Sequence, residues 1–568
     1  MSAYNILGKG KQQNTYDAIV IGSGITGGIA AKELSQGGLK VLVLERGKMV
    51  EHIKDYTFAT TDPWDLPHRN LVPQSERKDY EVQKNLYLFA QDSKNFLVKD
   101  SEHPYVQDKP FSWYRGYQMG GRSLLWSKHC YRWSDRDFGA NLKDGVGTDW
   151  PVRYHEIEPW YSYIEKYIGV SGSRDGLDQI PDGEYLPPFD MNIMDKHLQK
   201  RIKEHFPERD LVIGRMAVLT QDHNGRQRCH GRNLCHRGCI FGAPYSSNSA
   251  SLPDAAKTGN LTIRPFSVVE SLIYDNKTRK LSGVNVIDSE TKETTQFFAK
   301  VIFLNASTLG STQILLQSKN SDFPDGLANS SGALGHYLMD HHAGIGAIGG
   351  YSGYKDSYYQ GERPASVYIP RFVNLHKQEK DYLRGFGFEN YTSRGDWTRG
   401  MGQKGIGAEW KEGLTKPGDW SVYFEAYGET LPDFDNKVVL DKDKKDQWGL
   451  PLINISMSYR DNEHKMRRDM QLESKKMLDA CNLDWVHTFD DNPPPGSVIH
   501  EMGTARMGND PKTSVLNRWN QAHDISNLFV TDGSCMVSSA NQNPSLTYMA
   551  LTARACHYAL GEIKKGNI

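Results

Sequence analysis

Three stretches of this chain carry residue types whose spacing could do chemistry. Cys229, Cys235 and Cys239 fall within eleven residues as C-x5-C-x3-C, in RQRCHGRNLCHRGCIFGAPYSS. Three thiolates this close point to soft-metal or iron–sulfur ligation. A zinc site helped by His230 or His236 and three unrelated loop thiols are the other readings. Each of those histidines directly follows a cysteine, which is awkward for closing on the same metal. The second stretch is C-terminal: His500 in HEMGTARMG, Asp532-Gly533 after the strand-like NLFVTDG, and Asn543 at the start of NPSLT. A histidine exchanges protons near neutral pH. Taken singly, His500 also reads as a structural histidine, and Asn543 before Pro544 as a helix N-cap. The third is Gly22, Gly24 and Gly27, a G-x-G-x-x-G run that lets a backbone approach a pyrophosphate.

The elements around the glycines give them meaning. YDAIVIG is a short β-rich run, GSGITGG a loop, IAAKELSQ a helix ended by Gly37-Gly38, and KVLVLE a second buried strand. This β-α-β unit predicts a doubly wound sheet with the glycine loop at a helix N-terminus, an anion-binding position. Glu45 closes the second strand, where its carboxylate can accept ribose hydroxyls. Residues 258–305 alternate apolar runs with turns and read as strands returning to that sheet. Residues 345–460 are rich in Gly, Trp and Tyr with short strand candidates, which suits a second, antiparallel domain. The stiff turn DNPPPG, Asp491 to Gly496, marks the return to the first.

Length and composition bound the rest. A chain of 568 residues has room for roughly four domains, or fewer if one fold is large. A net charge of −1 argues against nucleic-acid binding by bulk positive charge. Seven cysteines are too few for a disulfide scaffold. No apolar run reaches the roughly 18 residues of a spanning helix, and the N-terminus has neither a signal-peptide pattern nor a twin arginine. The 11% of aromatic residues suits a carbohydrate pocket without singling out any residue.

Together these motifs resemble the glucose-methanol-choline (GMC) family of FAD-dependent oxidoreductases. The resemblance also takes in GYQMGGRSLLW (Gly116–Trp126), NASTLGSTQILL (Asn305–Leu316) and GHYLMDHH (Gly335–His342), and so covers nearly the whole chain. It implies an α/β fold: a Rossmann-like FAD-binding domain assembled from 14–150, 225–345 and 490–568, with an iron–sulfur loop at 226–246. An inserted α+β substrate domain on an antiparallel sheet would comprise 151–224 and 346–489. Gly22, Gly24, Gly27 and Glu45 would hold the ADP half of FAD, with Thr26, Arg46 and Ala306 beside them and Val269 on the adenine side. Gly120, Gly121 and Ser123 would follow the isoalloxazine and ribityl region, and Asp532 and Gly533 the pyrophosphate or ribityl chain. His500 matches the active-site histidine and Asn543 its partner. Leu125 stands where some relatives carry a histidine linked to the flavin, which implies non-covalent FAD.

The family's chemistry suits these residue types. A neutral His500 takes the hydroxyl proton of an alcohol, Asn543 orients the alkoxide, and the hydride goes to the flavin. One branch, the catalytic subunits of bacterial FAD-dependent glucose dehydrogenases and glucoside 3-dehydrogenases, carries a similar three-cysteine run. There it holds a 3Fe–4S cluster on residues matching Cys229, Cys235 and Cys239. The implied activity is oxidation of a sugar at C-3, with glucose 1-dehydrogenation to gluconolactone or a peroxide-producing sugar oxidase as alternatives. The implied partners are a small signal-bearing subunit and a cytochrome c. That suggests co-export to the periplasm, the alternative being a cytoplasmic enzyme with another acceptor.

Overall fold

The run Tyr16 to Leu44 folds as its pattern requires. Thr15–Ile21 and Val41–Leu44 are apolar strands, Ile25–Gln36 is the crossover helix, and the two strands pair in parallel. The computed structural model describes residues 4–7, 14–357, 366–396, 399–400 and 403–568. Around this unit an eight-stranded sheet forms. Leu261–Arg264 adds beside Val41–Leu44, and Thr294–Leu304 beside Thr15–Ile21, both in parallel. Besides Thr15–Ile21, the long strand Thr294–Leu304 has two further neighbours: its first half pairs antiparallel with Lys280–Asp288, and its end pairs in parallel with Leu528–Val530. The residues expected to return to the first sheet, 258–305, supply four of its strands: Leu261–Arg264, Ser267–Asp275, Lys280–Asp288 and Thr294–Leu304. The parallel strands end at one edge, on Gly22, Glu45, Asn305 and Asp532. Doubly wound sheets bind ligands outside such an edge.

A second sheet of six antiparallel strands runs Trp485–Asp490, Ile345–Tyr351, Trp420–Gly428, Phe386–Arg394, Val367–Ile369, Val212–Ile213. Strand alternation divides its faces. Phe386, Phe388, Val422, Phe424 and Ala426 pack into a core with Met194, Leu198 and Met470, from the helices Ile193–His205 and Asp461–Asp479. The intervening Glu389, Tyr391, Tyr423, Glu425 and Tyr427 face a cavity between the two sheets.

Two segments lie elsewhere than chain order suggests. Helix Tyr154–Ile168 falls within the stretch expected in the substrate domain. Its Ile157, Tyr161, Ile164 and Ile168 instead join the core of the first sheet, with Leu546, Met549 and Ala553 of the last helix, Ser545–Lys565. Lys437–Lys445 and Pro451–Ser456, also from the inserted stretch, form a three-stranded sheet with Val106–Gln107. In both cases apolar contact between distant segments overrides sequence proximity. No described helix is long and apolar enough to cross a membrane.

Candidate active site

One cavity of about 1020 Å3 joins the edge of the first sheet to the face of the second. Its first end is a dinucleotide cradle. A Cβ on Gly27 would fall 1.9 Å from the Gly22 carbonyl oxygen, so only glycine lets the helix start this close to the strand end. A Cβ on Gly24 would meet no protein atom within 4 Å, so this position leaves the cavity floor open. Glu45 braces the loop from beneath: Oε2 accepts from Ser23 Oγ (2.5 Å) and Ser23 N (3.2 Å), and Oε1 from Gly47 N (3.0 Å). A carboxylate offers about four acceptor sites, so one is left spare on a residue that lines the cavity. Burial holds its carboxyl above the ordinary value.

Thr26, Arg46, Gly121, Ser123, Val269 and Ala306 also border the cavity. Gly120 packs behind the wall, where its N–H donates to Ser23 Oγ (2.9 Å) and a Cβ would overlap Asn248. Asp532 and Gly533 line the cavity, and Asp532 accepts from Ser534 N (3.0 Å), Ser534 Oγ (2.5 Å) and Ser311. Leu125 is buried against the same space.

The cradle fits FAD. The helices Ile25–Gln36 and Ser545–Lys565 both begin at the cavity wall, which suits anionic groups. Arg46 Nε and Asn305 Oδ1 are buried there without hydrogen-bond partners among the described residues, so both are open to a bound group.

At the far end of the cradle, His500 and Asn543 line the cavity together. Asp340 fixes the loop beneath His500 by accepting from His500 N (2.9 Å), Gly496 N (2.8 Å) and Val498 N (3.3 Å). His341 Nε2 lies 3.0 Å from the Ser539 carbonyl, and His341 Nδ1 lies 2.9 Å from His500 Nδ1. The rings meet edge to face at 85°. A carbonyl only accepts, so His341 carries its proton on Nε2. Burial lowers its pKa to about 4, so it is neutral and presents a bare Nδ1. His500 therefore donates from its own Nδ1, and its Nε2 is the bare, basic atom. Burial, with His341, Arg122 and His129 as neighbours, holds His500 well below the usual histidine range.

The adjacent Glu501 is clamped by Arg122 through two bonds, Nη1–Oε1 at 3.1 Å and Nη2–Oε2 at 2.8 Å. The motifs GHYLMDHH and GYQMGGRSLLW contain Asp340, His341 and Arg122, but nothing in their spacing assigns these roles.

None of the seven cysteines forms a disulfide. Cys235 and Cys239 border a small second cavity with Lys128, and their charges act on each other and on that lysine. Cys235, Lys128 and Ser123 border both cavities. Cys229 and Cys239 pack against one apolar cluster containing Val218 and Leu219. Among the described residues no three His, Cys, Asp or Glu side chains converge closely enough to hold a metal ion. The fit to a three-thiolate cluster is therefore partial: one loop carries all three cysteines, but their thiols are not gathered into a ligand set. Arg237 is buried, bound to Asp92 and, at 2.9 Å, to the Thr61 carbonyl, and Arg232 binds the Ala59 carbonyl. These arginines tie the cysteine loop to the 59–92 segment.

A dinucleotide cradle leading to a buried neutral histidine and a carboxamide defines a flavoprotein alcohol oxidoreductase. The chain carries the N and C domains of GMC oxidoreductases, whose sequence models match residues 209–343 and 432–552. It is 29% identical to a 2-methyl-1,2-propanediol dehydrogenase of Mycolicibacterium austroafricanum, over 95% of this chain and 94% of that protein. It is 28% identical to the fructose dehydrogenase large subunit of Gluconobacter japonicus, over 97% and 98%. The fold is that of pyridoxine 4-oxidase from Mesorbium loti, with a TM-score of 0.60 at 16% identity, over 95% of this chain and 98% of that one.

Proposed function

We propose that the protein is an FAD-dependent sugar dehydrogenase that oxidises the C-3 hydroxyl of glucosides or disaccharides to the 3-keto sugar. Oxidation of a secondary alcohol removes one proton and one hydride. His500 Nε2 takes the hydroxyl proton, and Asn543 holds the oxygen so that the carbinol C–H is aimed into the cradle. Bound FAD supplies the hydride acceptor, and with Leu125 at the position of the flavin-linked histidine it is held without a covalent bond.

The observation that carries a dehydrogenase rather than an oxidase is the wall shared by the two cavities. Cys235 borders the space that fits FAD, and Cys239 sits behind it with Lys128. Cys229, Cys235 and Cys239 would hold a 3Fe–4S cluster that gives single electrons a way out to a protein acceptor. Loading iron would require the loop to gather the three thiols. A relative named as a large subunit supports a multi-subunit assembly. Our reading pairs this chain with a small signal-bearing subunit and a cytochrome c, in the periplasm by co-export.

Anaerobic titration of the purified protein with a sugar panel tests the reading. A glucoside should bleach the flavin, and the product should keep its anomeric linkage. Iron analysis should give three irons per chain, lost in Cys229→Ser. Peroxide formed in step with sugar oxidation under air would overturn the electron route, and a lactone product would overturn C-3.

A further inference from the structure

The second sheet turns an unusual pair of side chains toward the cavity. Glu389 and Glu425 are directly opposed in the register of neighbouring strands, and Tyr391 opposes Tyr423 on the same face. Like charges directly opposite in a sheet are destabilising. The flanking groups do not neutralise the pair. Glu425 accepts from Gly344 N (2.9 Å) and Tyr427 Oη (3.1 Å), both uncharged. Glu389 Oε2 lies 3.1 Å from His129 Nδ1 and 3.5 Å from Tyr391 Oη. Both neighbours lie against one oxygen of Glu389, and of the two only Tyr391 makes a hydrogen bond to it. Asp491 adds a third carboxylate to the lining. Burial, with Glu389 and Asp491 nearby, pushes the Glu425 carboxyl up to about 7. Beside the acids, Tyr423 is held flat against Phe489, with ring centres 5.1 Å apart and planes 17° apart.

Resting on the sugar-oxidising reading, we propose that Glu389 and Glu425 anchor the substrate, with Tyr423 as a stacking face, and select a hydroxyl-rich ring that bears no carboxylate or phosphate. Hydroxyl groups donate to the spare carboxylate lone pairs, and hydrogen bonds to charged groups are the strong ones. The apolar face of a sugar ring lies on an aromatic plane. His500 and Asn543 line the same cavity, so a ring held on this sheet is presented to the base. An anionic substituent would meet the carboxylates of this lining, and Arg122, which borders the same cavity, is already paired with Glu501.

The test compares methyl glucoside with its glucuronide in the FAD-loaded enzyme, for the parent, Glu389→Gln and Glu425→Gln. The parent should favour the neutral ring by about 100-fold in kcat/KM. Each variant loses one charge-assisted acceptor, so KM for the glucoside should rise by about 10-fold or more while kcat changes by less than about 3-fold. The preference over the glucuronide should shrink to the same degree. Equal use of both compounds by the parent, or an unchanged KM in both variants, overturns the anchoring role. If no neutral sugar reduces the flavin at all, the sugar-oxidising reading falls with it. If neutral sugars reduce it and both variants keep their KM, the anchoring role alone falls.

Discussion

His341 and His500 share a single proton between facing Nδ1 atoms 2.9 Å apart, and the Ser539 carbonyl decides which ring owns it. By claiming the proton on His341 Nε2, that carbonyl makes His341 an acceptor and His500 a donor. The basic lone pair of His500 is then left on Nε2. His341 is thus a positioning residue acting through His500. His341→Leu removes the acceptor, frees the tautomer and ring orientation of His500, and should lower kcat by about 10- to 100-fold with KM little changed. His341→Asn can place an amide oxygen near the lost Nδ1 and should restore most of the turnover. Equal losses in both variants would show that His341 only fills space.

His500 itself carries the proton transfer. His500→Ala should lose about 10²- to 10⁴-fold in kcat, the usual range for a positioned general base. The cradle does not use this side chain, so the variant should purify yellow with a full complement of FAD. Near-normal turnover would remove His500 from the mechanism.

How much of this could be read in the sequence depends on the range of the interaction. The glycine loop and its strand were legible because their signal is local: positions 15–45 alone specify strand, turn, helix and acid. His500 and Asn543 were legible through motif order. His341 was not, because its role depends on a main-chain carbonyl nearly two hundred residues away. The acidic pair was hidden for a similar reason. Glu389 and Glu425 are opposed only through strand register, which no local pattern reports. Helix Tyr154–Ile168 shows the converse. Its amphipathic pattern is plain, but which core it serves is set by the last helix of the chain.

The buried histidines also set a pH dependence. Burial lowers His341 to about 4 and holds His500 and His342 well below the usual value. A group with a depressed folded-state pKa leaves stability intact above its unfolded pKa, about 6.5 for histidine, and removes it as pH falls toward the folded value. Melting temperature should therefore fall between pH 6.5 and 4, at up to about 1.4 kcal/mol per pH unit for each such histidine. The base stays neutral over the same window. kcat at saturating substrate should accordingly hold down to pH values below 6.5, and its acid limb should lie beneath the range of an exposed histidine. A limb at or above 6.5 would mean that His500 is not shielded as the structure indicates.

Two neighbouring glycines separate folding from cofactor binding. A Cβ added at Gly27 would meet the Gly22 carbonyl oxygen at 1.9 Å, a backbone atom that has to move. Gly27→Ala should thus lower the melting temperature of the apoprotein and weaken FAD binding together, with an overpacking cost of about 1–3 kcal/mol. At Gly24 an added Cβ meets no protein atom within 4 Å and projects into open cavity. Gly24→Ala should leave the apoprotein's melting temperature unchanged while raising the Kd for FAD by about 10-fold or more, because the methyl group occupies space the pyrophosphate needs. Thermal melting of both apoproteins, followed by FAD titration, reads the two effects apart. Unchanged FAD affinity in Gly24→Ala would place the pyrophosphate away from this loop, and a destabilised Gly24→Ala apoprotein would show that the glycine serves the fold.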